Sequence, residues 1–281
     1  MGRPEAERTG SERIKSLKID FARHDTGNGR REPALCLRCV VVKLARMTRA
    51  LTGMTSLDYY GIEELLTEEE RAARDGARRF VQEEVVREIV PFHRAGEFPE
   101  HLIPRIGALG FYAPYLKGDG CAGLSYTAYG LIMQELERAD SGLRSLASVQ
   151  GPLVIHAIHS FAAPEQQLRW LPGLASGKLI GCFALTEHGH GSDPGGMETS
   201  AKREGDHYIL NGSKCWIGNA SIADIKVVWA KDDDGRVGGF VVEKDAPGFR
   251  AQDIEGKFSL RMSRTSECWF ENCRIPAENI N

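Results

Sequence analysis

Residues 181–219, GCFALTEHGHGSDPGGMETSAKREGDHYILNGSKCWIGN, are the part of the chain best suited to chemistry. Within them HGHGSDPGG, at 188–196, packs four glycines, a serine and an aspartate into nine residues. Glycine permits close backbone approach and positive φ, so consecutive N–H groups can converge on an anion, with the Ser192 hydroxyl as a further donor. The run before it, GCFALTE, is apolar with a polar end, which suits a strand entering a site. The run after it, YILNGSKCWI at 208–217, reads as two strands around an Asn-Gly turn. Such a hairpin would carry Trp216 back to the glycine loop. Phosphate chemistry on the loop and stacking on the indole describe a nucleotide-like cofactor. The alternative is a surface loop beside a core tryptophan.

A second group sits on the most apolar helical stretch, residues 143–161, where Arg144 is followed one turn later by Ser148. A buried, unpaired cation costs several kcal/mol, so Arg144 needs a partner. An internal carboxylate such as Glu137 and an anionic ligand satisfy that need equally, and the pattern leaves both open. His156 and His159 lack a nearby third donor and read as core or interface histidines. Cys36 and Cys39 form a CxxC with no second pair at zinc-ribbon spacing, so no metal site is expected.

The elements that must position these groups fall into two kinds. TEEE at 67–70 offers a capping box, and Ala73, Ala77, Phe80, Val81, Val85 and Ile89 follow at helical spacing until Pro91, which should stop the helix. A second helix is expected over 100–109 with Gly110 as its stop, then a connecting loop at 118–123 and a third helix over 125–139. Residues 140–142 break that helix before the apolar stretch. Pro164 opens a short helix that ends near 173–177. From residue 181 strand-like runs dominate, notably 226–230, 237–243 and 267–275, with turns between them. The expected fold class is α+β: an N-terminal all-helical bundle over 55–180 followed by a β-barrel or sandwich domain over 181–281.

Composition excludes little and is ordinary for a globular protein, at 42% hydrophobic and 27% charged residues. A net charge of −3 gives no case for nucleic-acid binding, and no apolar run is long enough for a membrane span. Seven scattered cysteines fit reduced thiols and a cytoplasmic, bacterial-type location, with the mitochondrial matrix as the alternative. Residues 1–54 carry +6 against −9 for the remainder and show little periodicity. They read as a disordered or mis-started extension, with the folded chain beginning near Met47 or Met54. Their six acidic residues argue against a transit peptide.

Taken together, the helical half, FALTE with GSDP, NGSKxWI, GFVVEK, and GKFSLRMSRT before FENCRIPAEN resemble the acyl-CoA dehydrogenase family over residues 57–281. LERADSGLRSLASVQG, SDPGGMETSA and GKFSLR are most similar to its glutaryl-CoA dehydrogenase branch. The resemblance implies a flavoenzyme that holds FAD without a Rossmann fingerprint. Phe183, Ala184, Leu185, Thr186, Gly191 and Ser192 would line the flavin and its pyrophosphate, with Trp216, Ile217 and Gly218 against the isoalloxazine. Ser192 would also reach the acyl-CoA, as would Phe258, Ser259, Leu260, Arg261, Met262, Ser263, Arg264 and Thr265. Arg144, Ser145 and Ser148, with Glu137 close by, would hold the distal carboxylate of glutaryl-CoA. The family's chemistry removes a proton α to the thioester with a glutamate and passes a β hydride to the flavin. In the glutaryl branch CO2 is then lost to give crotonyl-CoA, electrons pass to an electron-transfer flavoprotein, and the protein is a homotetramer.

Three departures from the family stand out. The chain stops at Asn281, where the family enters a second helical domain, so the catalytic base is expected beyond Asn281 and the polypeptide looks like a fragment. Gly218 replaces a threonine or serine whose hydroxyl meets flavin N5, a loss on the order of 1 kcal/mol of hydrogen bonding. His188 replaces a proline. An acyl-CoA oxidase, a dehydrogenase of another short-chain acyl-CoA, and a non-catalytic remnant are the competing readings.

Overall fold

The Thr67 hydroxyl accepts the Glu70 N–H at 3.2 Å while the Glu70 carboxylate accepts the Thr67 N–H at 2.9 Å, closing the expected capping box ahead of α1 (Glu68–Phe80). The second Glu70 oxygen accepts the Ser125 hydroxyl at 2.7 Å, and Ser125 in turn caps α4 (Tyr126–Ala139) through the Ala128 N–H. One carboxylate therefore fixes the starts of two packed helices. The computed structural model describes residues 58–118 and 121–279; the extension at 1–54 and its Cys36/Cys39 pair lie outside these.

Pro91 does not stop the first helix. α1 widens into a π turn at Val81–Val85 and ends before Ile89, and Pro91 lies in the first turn of α2 (Ile89–Ala95), where a missing N–H costs nothing. α3 is Leu102–Ala108, with Leu102, Ile103 and Ile106 buried. The expected loop at 118–123 instead carries a short antiparallel ladder, β1 (Lys117–Gly118) with β2 (Cys121–Ala122). The stretch around 143–161 divides into α5 (Ser141–Ser148), a π-helical segment Val149–Ile155 that absorbs Pro152, and α6 (His156–Phe161). α7 (Pro164–Ala175) completes the helical half.

β3 (Gly181–Ala184), β4 (Ser200–Glu204), β5 (His207–Gly218), β6 (Ile225–Lys231), β7 (Val237–Glu243), β8 (Phe249–Asp253) and β9 (Thr265–Pro276) form a single sheet. β3 runs parallel to the first part of β6, β7 pairs with β6 antiparallel, β4 meets the end of β6 in parallel, and β5, β9 and β8 follow β4 as antiparallel neighbours. The sheet curls on itself. Ala184, Ala201, Leu210, Val228, Phe240 and Phe270, from six of its strands, meet in one interior cluster. β6 divides its side chains by alternation: Val228 and Ala230 enter that interior, while Ile225 and Val227 join the core of the helical half. The buried Gln150 joins the halves as well, donating to the carbonyls of Leu174 and Leu179 at 2.8 Å and accepting the Gly181 N–H at 2.7 Å.

The Asn-Gly pair is not a hairpin turn. β5 runs straight through Asn211 and Gly212, with a register shift against β9 at that point, and the turn between β4 and β5 is at Gly205, φ 64°. The Asn211 side chain accepts the Asn272 N–H at 2.9 Å, and Gly212 is needed both for its φ of 147° and because a Cβ there would lie 2.5 Å from Thr199 Oγ1. In the π-helical segment a Cβ on Gly151 would lie 1.7 Å from the Tyr112 carbonyl oxygen, a backbone atom that cannot yield cheaply. Gly151→Ala is therefore expected to lower stability by at least about 1–3 kcal/mol. A denaturant midpoint equal to that of the parent protein would show that the segment can shift.

Candidate functional site

The glycine loop hangs from a buried ion pair. Lys214, fully buried on β5, donates to Glu187 Oε1 at 2.8 Å and to the Leu185 carbonyl at 3.0 Å. Glu187 also accepts the Glu198 N–H at 2.7 Å, the Thr199 N–H at 3.0 Å and the Thr199 hydroxyl at 2.5 Å. Residues on both sides of the loop are thus fastened to one carboxylate. Burial pushes the Glu187 carboxyl up, but the Glu198 amide, Lys214 and Thr199 outweigh it and hold it at about 2. Between these anchors Gly191, Ser192, Asp193, Pro194 and Gly195 are exposed. The N–H groups of Gly189, Gly191 and Ser192 have no partner among the described residues. Among the described residues nothing fills the space a Cβ would take at Gly189 or Gly191, so an incoming group can reach their amides.

Trp216 is tied to the segment entering this loop through the preceding residue, whose N–H, that of Cys215, donates to the Thr186 carbonyl at 2.9 Å. A bulge between Lys214 and Ile217 adds one residue to β5 against β9. It turns Trp216 outward at φ 61°, leaving the indole 64% exposed between buried Cys215 and Ile217. A positive φ on a bulky aromatic residue is strained, and such strain concentrates where a side chain is needed in a fixed pose. Exposed amides and an outward indole on adjacent segments fit the phosphate and ring of a flavin nucleotide. Phe183 is half-buried on the outer side of β3, its ring 5.8 Å from Trp229. Ala184 and Ile217, by contrast, point into the sheet interior, so they can offer a cofactor only backbone. At Gly218 a Cβ would lie 3.2 Å from Val149 Cγ2, so the π-helical segment already crowds the space a threonine or serine would use.

Arg144 has its internal partner. Its Nε donates to Glu137 at 2.7 Å and its Nη1 lies 3.4 Å from Ser148 Oγ. The Ser141 hydroxyl and the Arg144 guanidinium together hold the Glu137 carboxyl below its usual range. The Arg144 side chain remains 35% exposed, so the pair is open to a ligand. Ser145 stands one residue along α5, half-buried, and its carbonyl accepts the Ser148 hydroxyl at 3.0 Å. His156 leans on Tyr115 at 5.9 Å, and no group of three metal-ligating side chains occurs among the described residues.

The stretch expected to meet acyl-CoA divides sharply. Phe258, Ser259 and Leu260 are exposed, Leu260 at φ 51°. Arg261 instead donates to the His93 and Arg94 carbonyls at the end of α2, at 3.3 and 3.1 Å. Met262 is buried in the helical core, and the Ser263 carbonyl accepts Lys257 Nζ. Arg264 spans Asp253 at 2.9 Å and Glu100 at 3.2 Å, while the Thr265 hydroxyl donates to Ser263 Oγ at 3.2 Å. The two arginines are thus engaged within the chain, with a 400 Å³ polar cavity between them and Gly96.

The sequence reading did not find the Glu187–Lys214 pair. Both residues lie in quoted motifs, TE and NGSK, but only the topology of β3 and β5 brings them together.

Family models described as "Acyl-CoA dehydrogenase, N-terminal domain" and "Acyl-CoA dehydrogenase, middle domain" match residues 67–178 and 182–273. A crystal structure of glutaryl-CoA dehydrogenase from Mycobacterium smegmatis is 50% identical, with a TM-score of 0.76 over 78% of this chain and 57% of that one. Another from the same organism, in complex with FADH2, is 43% identical, with a TM-score of 0.78 over 80% of this chain and 58% of that one. The mitochondrial short-chain specific acyl-CoA dehydrogenase of Mus musculus is 35% identical over 79% of this chain and 55% of its own length. The chain spans little more than half the length of these relatives.

Glu187→Gln leaves the Lys214 charge buried without its counter-charge, and is expected to cost about 3–5 kcal/mol of stability. The carboxyl is lowered from 4.5 to about 2, so the stability it adds is complete above about pH 4.5 and is lost as the pH falls through about 2. Unfolding midpoints measured down an acid series should therefore fall more gently for the Gln variant. An equally steep fall in both proteins would contradict this role.

Proposed function

The chain belongs to the acyl-CoA dehydrogenase family, and we propose that it carries the flavin- and acyl-CoA-binding part of an FAD-dependent dehydrogenase of the glutaryl type. The observation that supports this substrate class is Arg144 with Ser148, a partly exposed cation and a hydroxyl one turn apart on α5. A short dicarboxylic acyl chain brings one charge into such a pocket, and a guanidinium is the group suited to meet it. The 50% identity to a glutaryl-CoA dehydrogenase supports the same class.

In this reading FAD, when bound, supplies the acceptor for the β hydride. The chain's own residues bind and orient. The Gly189, Gly191 and Ser192 amides and the Ser192 hydroxyl receive the pyrophosphate. The Trp216 indole and the outer side of Phe183 bound the ring, while Phe258, Ser259 and Leu260 present the surface the acyl-CoA lies along. Arg144 draws the distal carboxylate to the far end of the pocket, which fixes the thioester end relative to the ring. Transfer of electrons to an electron-transfer flavoprotein and assembly as a homotetramer belong to the same proposal.

A second reading rests on the 2.7 Å contact with Glu137, which already neutralises Arg144 and so favours a neutral short acyl chain. The missing hydroxyl at Gly218 extends it to an oxidase.

Two variants test the proposal. Trp216→Ala should weaken FAD binding, followed by flavin fluorescence, by roughly 2- to 10-fold. Arg144→Gln should weaken glutaryl-CoA binding by on the order of 10- to 100-fold and leave butyryl-CoA within about two-fold. Unchanged glutaryl-CoA affinity would favour the neutral-chain reading.

A further inference from the structure

We infer that His93, acting through Asp140, is a positioning residue that sets the register of α5, and with it the reach of Arg144 toward an acyl carboxylate. The inference rests on the reading of Arg144 given above. Asp140 stands at the junction of α4 and α5, and its carboxylate is divided between two tasks. Oδ1 accepts the Gly142 N–H at 2.6 Å and caps α5, while Oδ2 lies 2.6 Å from Nδ1 of His93, 47 residues earlier on α2. The Asp140 side chain is only 8% exposed. An ionised carboxylate can only accept, so Nδ1 of His93 carries the proton of this bond. The Asp140 carbonyl accepts the N–H groups of Leu143 and Arg144 at 3.1 and 3.3 Å, so the backbone of Arg144 belongs to the turn that Asp140 holds.

A helix cap needs no second partner, since an aspartate bonded to one amide already satisfies a helix start. The His93 bond adds direction. It fixes the carboxylate against α2, and α2 is itself fastened to the segment proposed to lie along the acyl-CoA. Arg261 donates to the His93 and Arg94 carbonyls at 3.3 and 3.1 Å. The opposite side of the turn is closed by the same segment: a Cβ on Gly142 would lie 2.9 Å from the Ser263 nitrogen and 3.0 Å from Met262 Cβ. The first turn of α5 is thus gripped between α2 and residues 261–263. Arg144 follows two residues later, with Nε on Glu137 and Nη1 toward Ser148. Without the His93 bond Asp140 keeps its cap, but its carboxylate is free to turn, and the turn that carries Arg144 moves with it. A displacement of about 1 Å is enough to weaken a contact between fixed groups. A ligand that Arg144 holds would feel that displacement, and a ligand it does not hold would not.

The test measures equilibrium binding of glutaryl-CoA and of butyryl-CoA, which has the same chain without the distal carboxylate, to the FAD-loaded protein. The readout is the ratio of the two dissociation constants, glutaryl over butyryl, which a general loss of stability does not move. His93→Ala is expected to raise the ratio by about 3- to 10-fold. His93→Asn, whose amide nitrogen can take the place of Nδ1, is expected to return it to within about two-fold of the parent value. In an Arg144→Gln background His93→Ala should leave the ratio unmoved, because its effect passes through the guanidinium. A parent-like ratio in His93→Ala, a ratio that the Asn variant fails to restore, or an equal shift in both backgrounds would overturn the inference. If Arg144→Gln alone shifts the ratio and His93→Ala does not, only the role of His93 fails. If Arg144→Gln leaves it unchanged, or the parent protein binds no acyl-CoA, the reading of Arg144 fails and this inference with it.

Discussion

The loop that faces the proposed cofactor can be open because its ends are tied by a single buried carboxylate. Glu187 takes an ammonium, a hydroxyl and two amides at once, and Lys214 adds the Leu185 carbonyl on the near side. Such a pair stabilises only when every remaining donor and acceptor around it is satisfied, since desolvating two charges costs several kcal/mol each. Here the satisfaction comes from the loop's own backbone. The glycines between the anchors can then leave their amides unpaired and outward without unravelling the segment that holds them.

The same economy governs the neighbouring groups. The bulge that carries Trp216 spends its irregularity on one side chain, and the residues on either side remain in the sheet core. Arg261 and Arg264 do not wait for a ligand: they stitch the 258–265 segment to α2, β8 and the residues before α3. That segment still shows two large apolar side chains to solvent, Phe258 and Leu260. Arg144 likewise has its partner within the chain, and its side chain stays partly exposed beside Glu137.

Much of this could be read from residue types alone, and the exceptions share a cause. The capping box at Thr67 and Glu70 is local, complete within four residues, and it forms as written. Strand β7 falls on the run expected for it. Pro91 and Asn211-Gly212 mislead because both signals are conditional. Proline stops a helix only from its interior, and the break before Ile89 had already placed it in a first turn. An Asn-Gly pair makes a hairpin only if its flanks pair with each other, whereas β5 pairs with β4 on one side and β9 on the other. The Glu187–Lys214 bond, separated by 27 residues, and the Tyr115–His156 packing have no local signature. They exist only once strands and helices have been brought side by side.

Strand β6 gives alternate side chains to two cores, and Gln150 bonds a helical carbonyl and a strand amide with one amide group. A chain built in this way has no seam along which its helical and sheet halves could swing apart. Rotating one against the other would expose Ile225 and Val227 to water and strand a buried amide. On the proposed reading, a bulky ligand is then admitted by local rearrangement of surface segments such as 258–260, with the scaffold acting as a fixed jig. Specificity would follow the shape of a rigid mould, and the kinetics of entry the few residues at its rim.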